Sequence, residues 1–459
     1  MMNFKTLLLA ILLTANCAYA QKSQITGVSD DWKGREVRVL ADADPISGVQ
    51  NELAQTTIDK TGKFSVNIPV DGVRMVWLAV NRFKAPIYIK SGMNYELQIG
   101  GSKENPYIDT WNKGELAYTF NYLSDDDPNK AIMEFDNAYY QFFLDHSELI
   151  GKSAMKGKVA EFEKKWSERY AKEPYLSTYI KFSIAEMKLS SGFPKQELFE
   201  NYLINVSGDE NNPGFKDFFN TFYADYLERY NTRVKGVDIK KTLGEKPDLD
   251  AFFDNIQKDP FANDAVISQM VVLKAITEVY GNSDYSKTAL KQVLNKVSTI
   301  SKTDDLENIA ENIRKKWQMK EGSITIQDIK EAYAPALNYK PGTANLLVIT
   351  NTESTANKRE LHLLTDLSAA YKSEFWVTEC TVGNSEGEAK KPSWPKAKAE
   401  DAYGLLEALD VYSFPHFVWV DSRGNVTESG IEPPSQGLER RLHQLKVKSE
   451  AKNKIKVGK

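Results

Sequence analysis

The sequence predicts a multidomain α+β protein with an N-terminal antiparallel β-sandwich, a central α-helical domain and a C-terminal α/β domain. Three observations predict it. Apolar and polar residues alternate along roughly the first hundred positions, apolar residues recur every three or four positions through the middle, and short β-branched runs separated by helical stretches return near the end. At 459 residues the chain is too long for one core and should divide into parts of ordinary domain size. A hydrophobic content of 41% with 11% aromatics is that of globular chains, not of disordered ones.

The first element is a targeting segment. Lys5, the apolar run from Leu7 to Leu13, and Ala18, Tyr19 and Ala20 before Gln21 read as a secretory signal peptide over residues 1–20. That run is too short to span a bilayer. A lipoprotein reading would process at Cys17, but Asn16 puts a bulky amide where a small residue is wanted, so ordinary cleavage is preferred. Removing the segment takes Lys5 from 59 basic residues against 63 acidic ones, leaving 58 against 63 and a net charge of −5. This mild acidity argues against nucleic acid as a partner. Removal also takes Cys17, so Cys380 is left as the single thiol and no internal disulfide can close. No other stretch approaches transmembrane length. The expected location, after secretion across the inner membrane, is the periplasm or cell envelope.

Residues 21–104 read as the sandwich. Strand-like runs such as R-E-V-R-V-L, V-R-M-V-W-L-A-V and N-Y-E-L-Q-I alternate, as at Phe64, Val66 and Ile68, and are broken by Asp59 to Gly62, Asp71 and Gly72, and Ser91 and Gly92. Residues 105–323 carry the helical period. Segments such as F-D-N-A-Y-Y-Q-F-F-L-D-H and F-K-D-F-F-N-T-F-Y-A-D-Y-L place aromatics three or four apart, and prolines at 128, 174, 194, 213 and 260 fall where helices begin or break. No clean repeat is present, so a bundle is expected and not a solenoid. In residues 324–446 the strand-length runs Leu346 to Ile349, Phe375 to Thr378 and Phe417 to Val420 alternate with helical segments Lys358 to Tyr371, Ala399 to Leu409 and Gly437 to Leu445. Residues 447–459 read as a basic, disordered tail.

From Asn345 the chain reads N-L-L-V-I-T-N-T-E-S-T-A-N-K-R-E-L-H-L-L-T, a strand running through a polar turn into a helix. F-P-H-F-V-W-V-D-S-R-G-N-V, from Phe414 to Val426, adds a second strand introduced by a proline. The pair resembles the thioredoxin fold of the TlpA/ResA-like secreted thiol-disulfide oxidoreductases of Bacteroidetes. The I-D-K-T-G-K-F and I-Y-I-K-S-G-M-N-Y-E-L runs resemble the N-terminal domain that precedes that module, and the stretch from Asp259 to Trp317 resembles its helical insert. The resemblance implies a thioredoxin-like C-terminal domain and an active-site turn carrying Cys-x-x-Cys. Here that turn reads Ser354, Thr355, Ala356, Asn357, and Glu353 stands where the family has tryptophan.

A dithiol catalyst needs a thiolate at the helix N-terminus and a second thiol to resolve the mixed disulfide, and neither a hydroxyl nor an amide can take those roles. No catalytic residue is therefore assigned, and the chain is read as leaning away from enzyme activity. Ser354 suits an N-cap of the following helix. Pro415 matches the family's cis-proline, which leaves the backbone before it free for an extended peptide; on the residues alone it equally serves to shape the loop before a strand. Phe414 and His416 flank it. A Ser354/His416 hydrolase couple lacks an elbow motif, an orienting acid and an oxyanion loop. Cys380 ends an apolar run and reads as a small buried hydrophobe, with residual thiol activity as the alternative.

The four histidines, His146, His362, His416 and His443, have no ligand spacing, so no metal is expected. Asp125, Asp126 and Asp127 before Pro128 read as a helix start. Neither a Walker nor a dinucleotide glycine pattern appears, so no cofactor is expected either. The aromatics Tyr139, Tyr140, Phe142, Phe143, Phe218, Phe219, Phe222 and Tyr223 read as core before they read as a sugar platform. The function expected is that of a non-catalytic binding or scaffold protein of the envelope, with an extended peptide or envelope protein as partner. Nothing in the sequence sets an oligomeric state.

Overall fold

The computed structural model describes residues 22–100, 114–204, 211–234, 236, 238–282, 284–301, 303–320, 324–351, 355–382, 394–411, 413–443 and 446–447. The expected signal peptide with Cys17, Ser354, and the tail from residue 448 lie outside the described residues. The fold is mixed α/β with several sheets. It divides into two compact units. One comprises Met1–Val80, Lys84–Gly101 and Leu116–Ile313, the other Asn81–Phe83, Ser102–Glu115 and Arg314–Lys459.

In the first unit the strands are β1 (Lys22–Val28), β2 (Glu36–Asp42), β3 (Gln50–Thr57), β4 (Lys63–Pro69), β5 (Val73–Val80), β6 (Phe83–Lys90) and β7 (Asn94–Ile99); after β8 (Gly114–Glu115) of the second unit comes β9 (Tyr118–Phe120). One sheet runs β4-β1-β7-β9 and another contains β3-β2-β5-β6 in that order. Period-two burial is clearest in β4, where Phe64, Val66 and Ile68 are buried, and in β7, where Tyr95, Leu97 and Ile99 are. Side chains of a strand point alternately to opposite faces, so one face of each strand supplies core. The expectation of a purely antiparallel arrangement is corrected here. β1 pairs antiparallel with β4 but parallel with β7, Ile25 lying opposite both Val66 and Tyr95. Tight turns force antiparallel pairing of consecutive strands, but β1 and β7 are joined by no hairpin and pair without that constraint.

The helices of this unit are α1 (Pro128–Asp145), α2 (Ser153–Arg169), α3 (Pro174–Ser190), α4 (Lys195–Tyr202), α5 (Pro213–Phe222), α6 (Tyr226–Arg233), α7 (Ile239–Thr242), α8 (Leu249–Lys258), α9 (Ala265–Glu278) and α10 (Lys287–Ile300). Next comes α11 (Asp304–Lys320), which runs across the unit boundary. Pro128, Pro174 and Pro213 open α1, α3 and α5, where a missing N–H is harmless. The Asp127 carboxylate accepts the Asn129 N–H and so caps α1. Phe218, Phe219, Phe222 and Tyr223 are buried, and Phe135 stacks edge-on against Trp166 with ring centroids 5.3 Å apart. These rings are core. Tyr140 is the exception at 67% exposed.

The second unit contains α12 (Ile326–Ala332), β10 (Asn345–Asn351), α13 (Thr355–Ala370), β11 (Trp376–Val382), β12 (Lys396–Lys398), α14 (Ala402–Ala408), β13 (His416–Val420) and β14 (Val426–Ser429), followed by helical residues 438–443. The sheet order is β12-β11-β10-β13-β14. β10 pairs parallel with β11 and antiparallel with β13, and β13 pairs antiparallel with β14. Every residue of β10 is buried, as its unbroken apolar run requires of a central strand covered on both faces. Leu347 and Ile349 pack with Ile326, Ile329, Leu405 and Leu406, whereas Leu346 and Val348 pack with Leu364, Leu438 and Leu442. The result is three layers, with α12 and α14 on one face and α13 and residues 438–443 on the other. This is the βαβ–ββα layout of a thioredoxin-like fold.

Candidate functional site

The strand order brings the start of β13 beside the edge strand β14. A groove of about 530 Å³ opens there, lined among others by Phe414, Pro415, His416, Glu428, Gly430 and Ile431. Glu360 of α13, and Glu432, Pro433 and Gln436 before residues 438–443, complete its walls. Phe414 is buried against the core face that holds Val411 and Val418. The Phe414–Pro415 peptide bond is cis. Within the degenerate turn, Ser354 lies outside the described residues, while Thr355, Ala356 and Asn357 open α13. The groove thus contains Phe414, Pro415 and His416, three of the residues singled out in the sequence, and its acidic residues were not foreseen.

His416 is buried, and its Nε2 lies 2.8 Å from Ser429 Oγ. The Ser429 hydroxyl has one proton and donates it to the Leu409 carbonyl at 2.6 Å. A carbonyl only accepts, so the Ser429 oxygen must receive its second bond from the imidazole, and Nε2 carries hydrogen. Burial then pushes the imidazole down to about 4, the Asp410 carboxylate opposing and Arg82 reinforcing the shift. At neutral pH His416 is an uncharged donor locked into a β13–β14 clasp. With Nε2 engaged this way, the ring is held by structure, and it does not activate Ser429.

Cys380 lies two strands away from His416 on the same face of the sheet, since Ile349 of β10 is opposite both of them. Its side chain is fully buried among Leu347, Ile349, Val382 and Ala397. Burial, with Glu379 adding to it, pushes the thiol up to about 12. A thiol held protonated and out of reach of solvent is a poor nucleophile.

One group escaped the sequence reading. Glu379, next to Cys380, is buried in β11 and fully partnered: Thr350 Oγ1 donates to it at 2.8 Å, Trp394 Nε1 at 3.2 Å, and Lys396 Nζ lies at 3.3 Å. A charged residue inside an apolar strand run is the signal that could have exposed it, because a buried carboxylate requires such partners. Thr350 stands near the C-terminal end of β10, so the network ties that end of the sheet together.

Elsewhere the chain offers less. A concavity of about 540 Å³ on the sandwich is lined by Thr26, Asp59, Lys63, Ser65, Glu96 and Asn121 among others. The Asp59 carboxylate there is consumed by its own turn, accepting from Thr61 and Lys63. Among the described residues, no three histidine, cysteine or acidic side chains gather as a metal site. No described helix is long and apolar enough to cross a membrane.

No family model matches the chain, and no curated protein matches it. Solved structures match over part of it. A thiol:disulfide interchange protein from Bacteroides sp. is 18% identical over 22% of this chain and 72% of its own, with a TM-score of 0.20. The thioredoxin domain of a thiol-disulfide oxidoreductase from Bacteroides vulgatus is 19% identical over 21% and 74%, with a TM-score of 0.19. StoA from Bacillus subtilis is 15% identical over 23% and 84%, with a TM-score of 0.20. At such scores these matches carry no weight of their own, and the sheet of the second unit is thioredoxin-like by its strand order.

Proposed function

We propose that this is an exported cell-envelope protein of thioredoxin-like fold that binds extended polypeptide and exchanges no electrons with it. The observation that carries this reading is the groove of about 530 Å³ between the start of β13 and the edge strand β14. An edge strand presents unpaired backbone groups, and an extended chain can add to it while its side chains enter shallow pockets. Phe414, Ile431 and Pro433 supply apolar surface, and Glu360, Glu428 and Glu432 supply charge. The reading that it exchanges no electrons is supported by the cysteine content, which is two, Cys17 in the expected signal peptide and Cys380 in the core. The reading places the partner's class at a peptide or an unfolded segment, and the site of action at the envelope.

The test uses reduced, carboxamidomethylated lysozyme, a basic polypeptide that cannot refold. Hydrogen exchange should slow at residues 413–417 and 428–432 when it is added, and insulin reduction with dithiothreitol should proceed no faster with the protein than without it. Protection confined to other regions, or protein-dependent turnover of insulin, would refute the reading.

A further inference from the structure

We infer that the groove has an occupant in this same chain, its lysine-rich C-terminal segment. The inference rests on the reading of the groove as a polypeptide site and names what fills it in the resting protein.

Charge is the first argument. Glu360, Glu428 and Glu432 line the groove, and none of its lining residues is lysine or arginine. Glu428 is shared with Arg441 at 2.6 Å, and Glu360 accepts the Ser435 N–H at 3.1 Å. His416 adds no positive charge at neutral pH, because burial holds it uncharged. The walls are therefore acidic. Residues 448–459 carry Lys448, Lys452, Lys454, Lys456 and Lys459 against a single acidic residue, Glu450, with Ile455 and Val457 between the last lysines. Alternation of lysine with β-branched residues suits a strand that turns one face to carboxylates and the other to Phe414 and Ile431.

Reach is the second argument. Gln436 lines the groove and Lys446 lies on the same short stretch of chain. From one to the other the backbone covers at most about 36 Å even if fully extended, and residues 448–459 span about 40 Å. Residues 438–443 are helical and rise only about 1.5 Å each, which holds the origin within about 26 Å, so the last few residues of the segment can reach the groove. Tethering then raises its local concentration to about a millimolar, so a tail that binds with a Kd near 0.1 mM weakens a competing polypeptide roughly tenfold.

The experiment uses the full chain and a variant with the five lysines from 448 to 459 changed to glutamine. A zero-length carbodiimide should join a tail lysine to Glu360, Glu428 or Glu432 within one chain at low salt, and the product should vanish at 1 M salt, where screening falls to about 3 Å. The carboxamidomethylated lysozyme probe should bind the variant roughly tenfold more tightly than the wild type. Crosslinks to other carboxylates, crosslinks formed between chains, or equal probe affinity for the two proteins would overturn the inference while leaving the groove reading intact. A probe that fails to protect the groove in the lysine-free variant removes the groove reading, and the inference falls with it.

Discussion

Lowering the pH should loosen the second unit through His416. The folded imidazole is depressed from 6.5 to about 4, so the unfolded chain binds a proton that the folded one refuses. Its contribution is complete above the unfolded value of 6.5 and is lost as pH falls toward 4. At about 1.4 kcal/mol per unit the whole depression is worth about 3 kcal/mol, of which about 2 kcal/mol disappears between pH 7 and pH 5. For a urea dependence of 2–3 kcal/mol per molar, the midpoint should drop by about 0.7–1 M. The assay is urea unfolding at pH 7, 6, 5 and 4.5, read by hydrogen exchange on the peptide covering 413–420 so that the second unit is followed separately. Asp421 is also depressed, to about 2 through bonds from Asn425 and Arg423 against the pull of desolvation. It titrates below this window and does not interfere. His416→Gln should flatten the profile while lowering stability at pH 7. An unchanged slope in that variant would refute the assignment, and so would a wild-type midpoint independent of pH from 7 to 5.

Three further outcomes are expected. Glu379→Ala strands the Thr350 hydroxyl, the Trp394 indole N–H and the Lys396 ammonium, which should cost about 2–4 kcal/mol in urea unfolding; Glu379→Gln, which still accepts hydrogen bonds, should cost less. Cys380 should react with a maleimide no faster than the second unit opens, since its thiol is buried and pushed up to about 12; rapid labelling of the native chain would contradict that placement. Asp217 is pushed up to about 6 by desolvation, with Glu186 adding to the shift and Lys216 opposing it. Its penalty is therefore absent below 3.8, grows as pH rises from there to 6 and is complete above 6, so Asp217→Asn should stabilise the first unit slightly at pH 7 and leave it unchanged at pH 3.5. The gain is small because the residue as a whole is exposed, so solvent screens much of the shift.

The parts of the fold that were legible are those where one physical signal dominates. Leu346 to Ile349 and Phe417 to Val420 are apolar, β-branched runs, and both became central strands buried on two faces. Asp127 with Pro128 announced α1 through capping chemistry that acts within two residues. β12 and β14 were missed because edge strands are short and mostly solvated: Lys396–Lys398 buries one residue of three, and Val426–Ser429 one of four. The groove followed the same pattern. Phe414, Pro415 and His416 were legible as a group because they are consecutive, whereas Glu428 and Glu432 enter only once β14 is folded beside β13. Glu379 was overlooked because its partners come from two segments distant in sequence, Thr350 in β10 and Trp394 with Lys396 at β12, which no local pattern joins. The parallel pairing of β1 with β7 was illegible for a related reason, since no turn connects them.

That pairing governs the order in which the first sheet can assemble. β1 leaves the ribosome before any of its neighbours, yet it lies in the middle, with β4 on one flank and β7 on the other. It must wait, unsatisfied, until both have been synthesised, and long-range closure of this kind is slow. Losing Lys22–Val28 would consequently strip the ladder from two strands at once and turn a single interior gap into a pair of sticky rims.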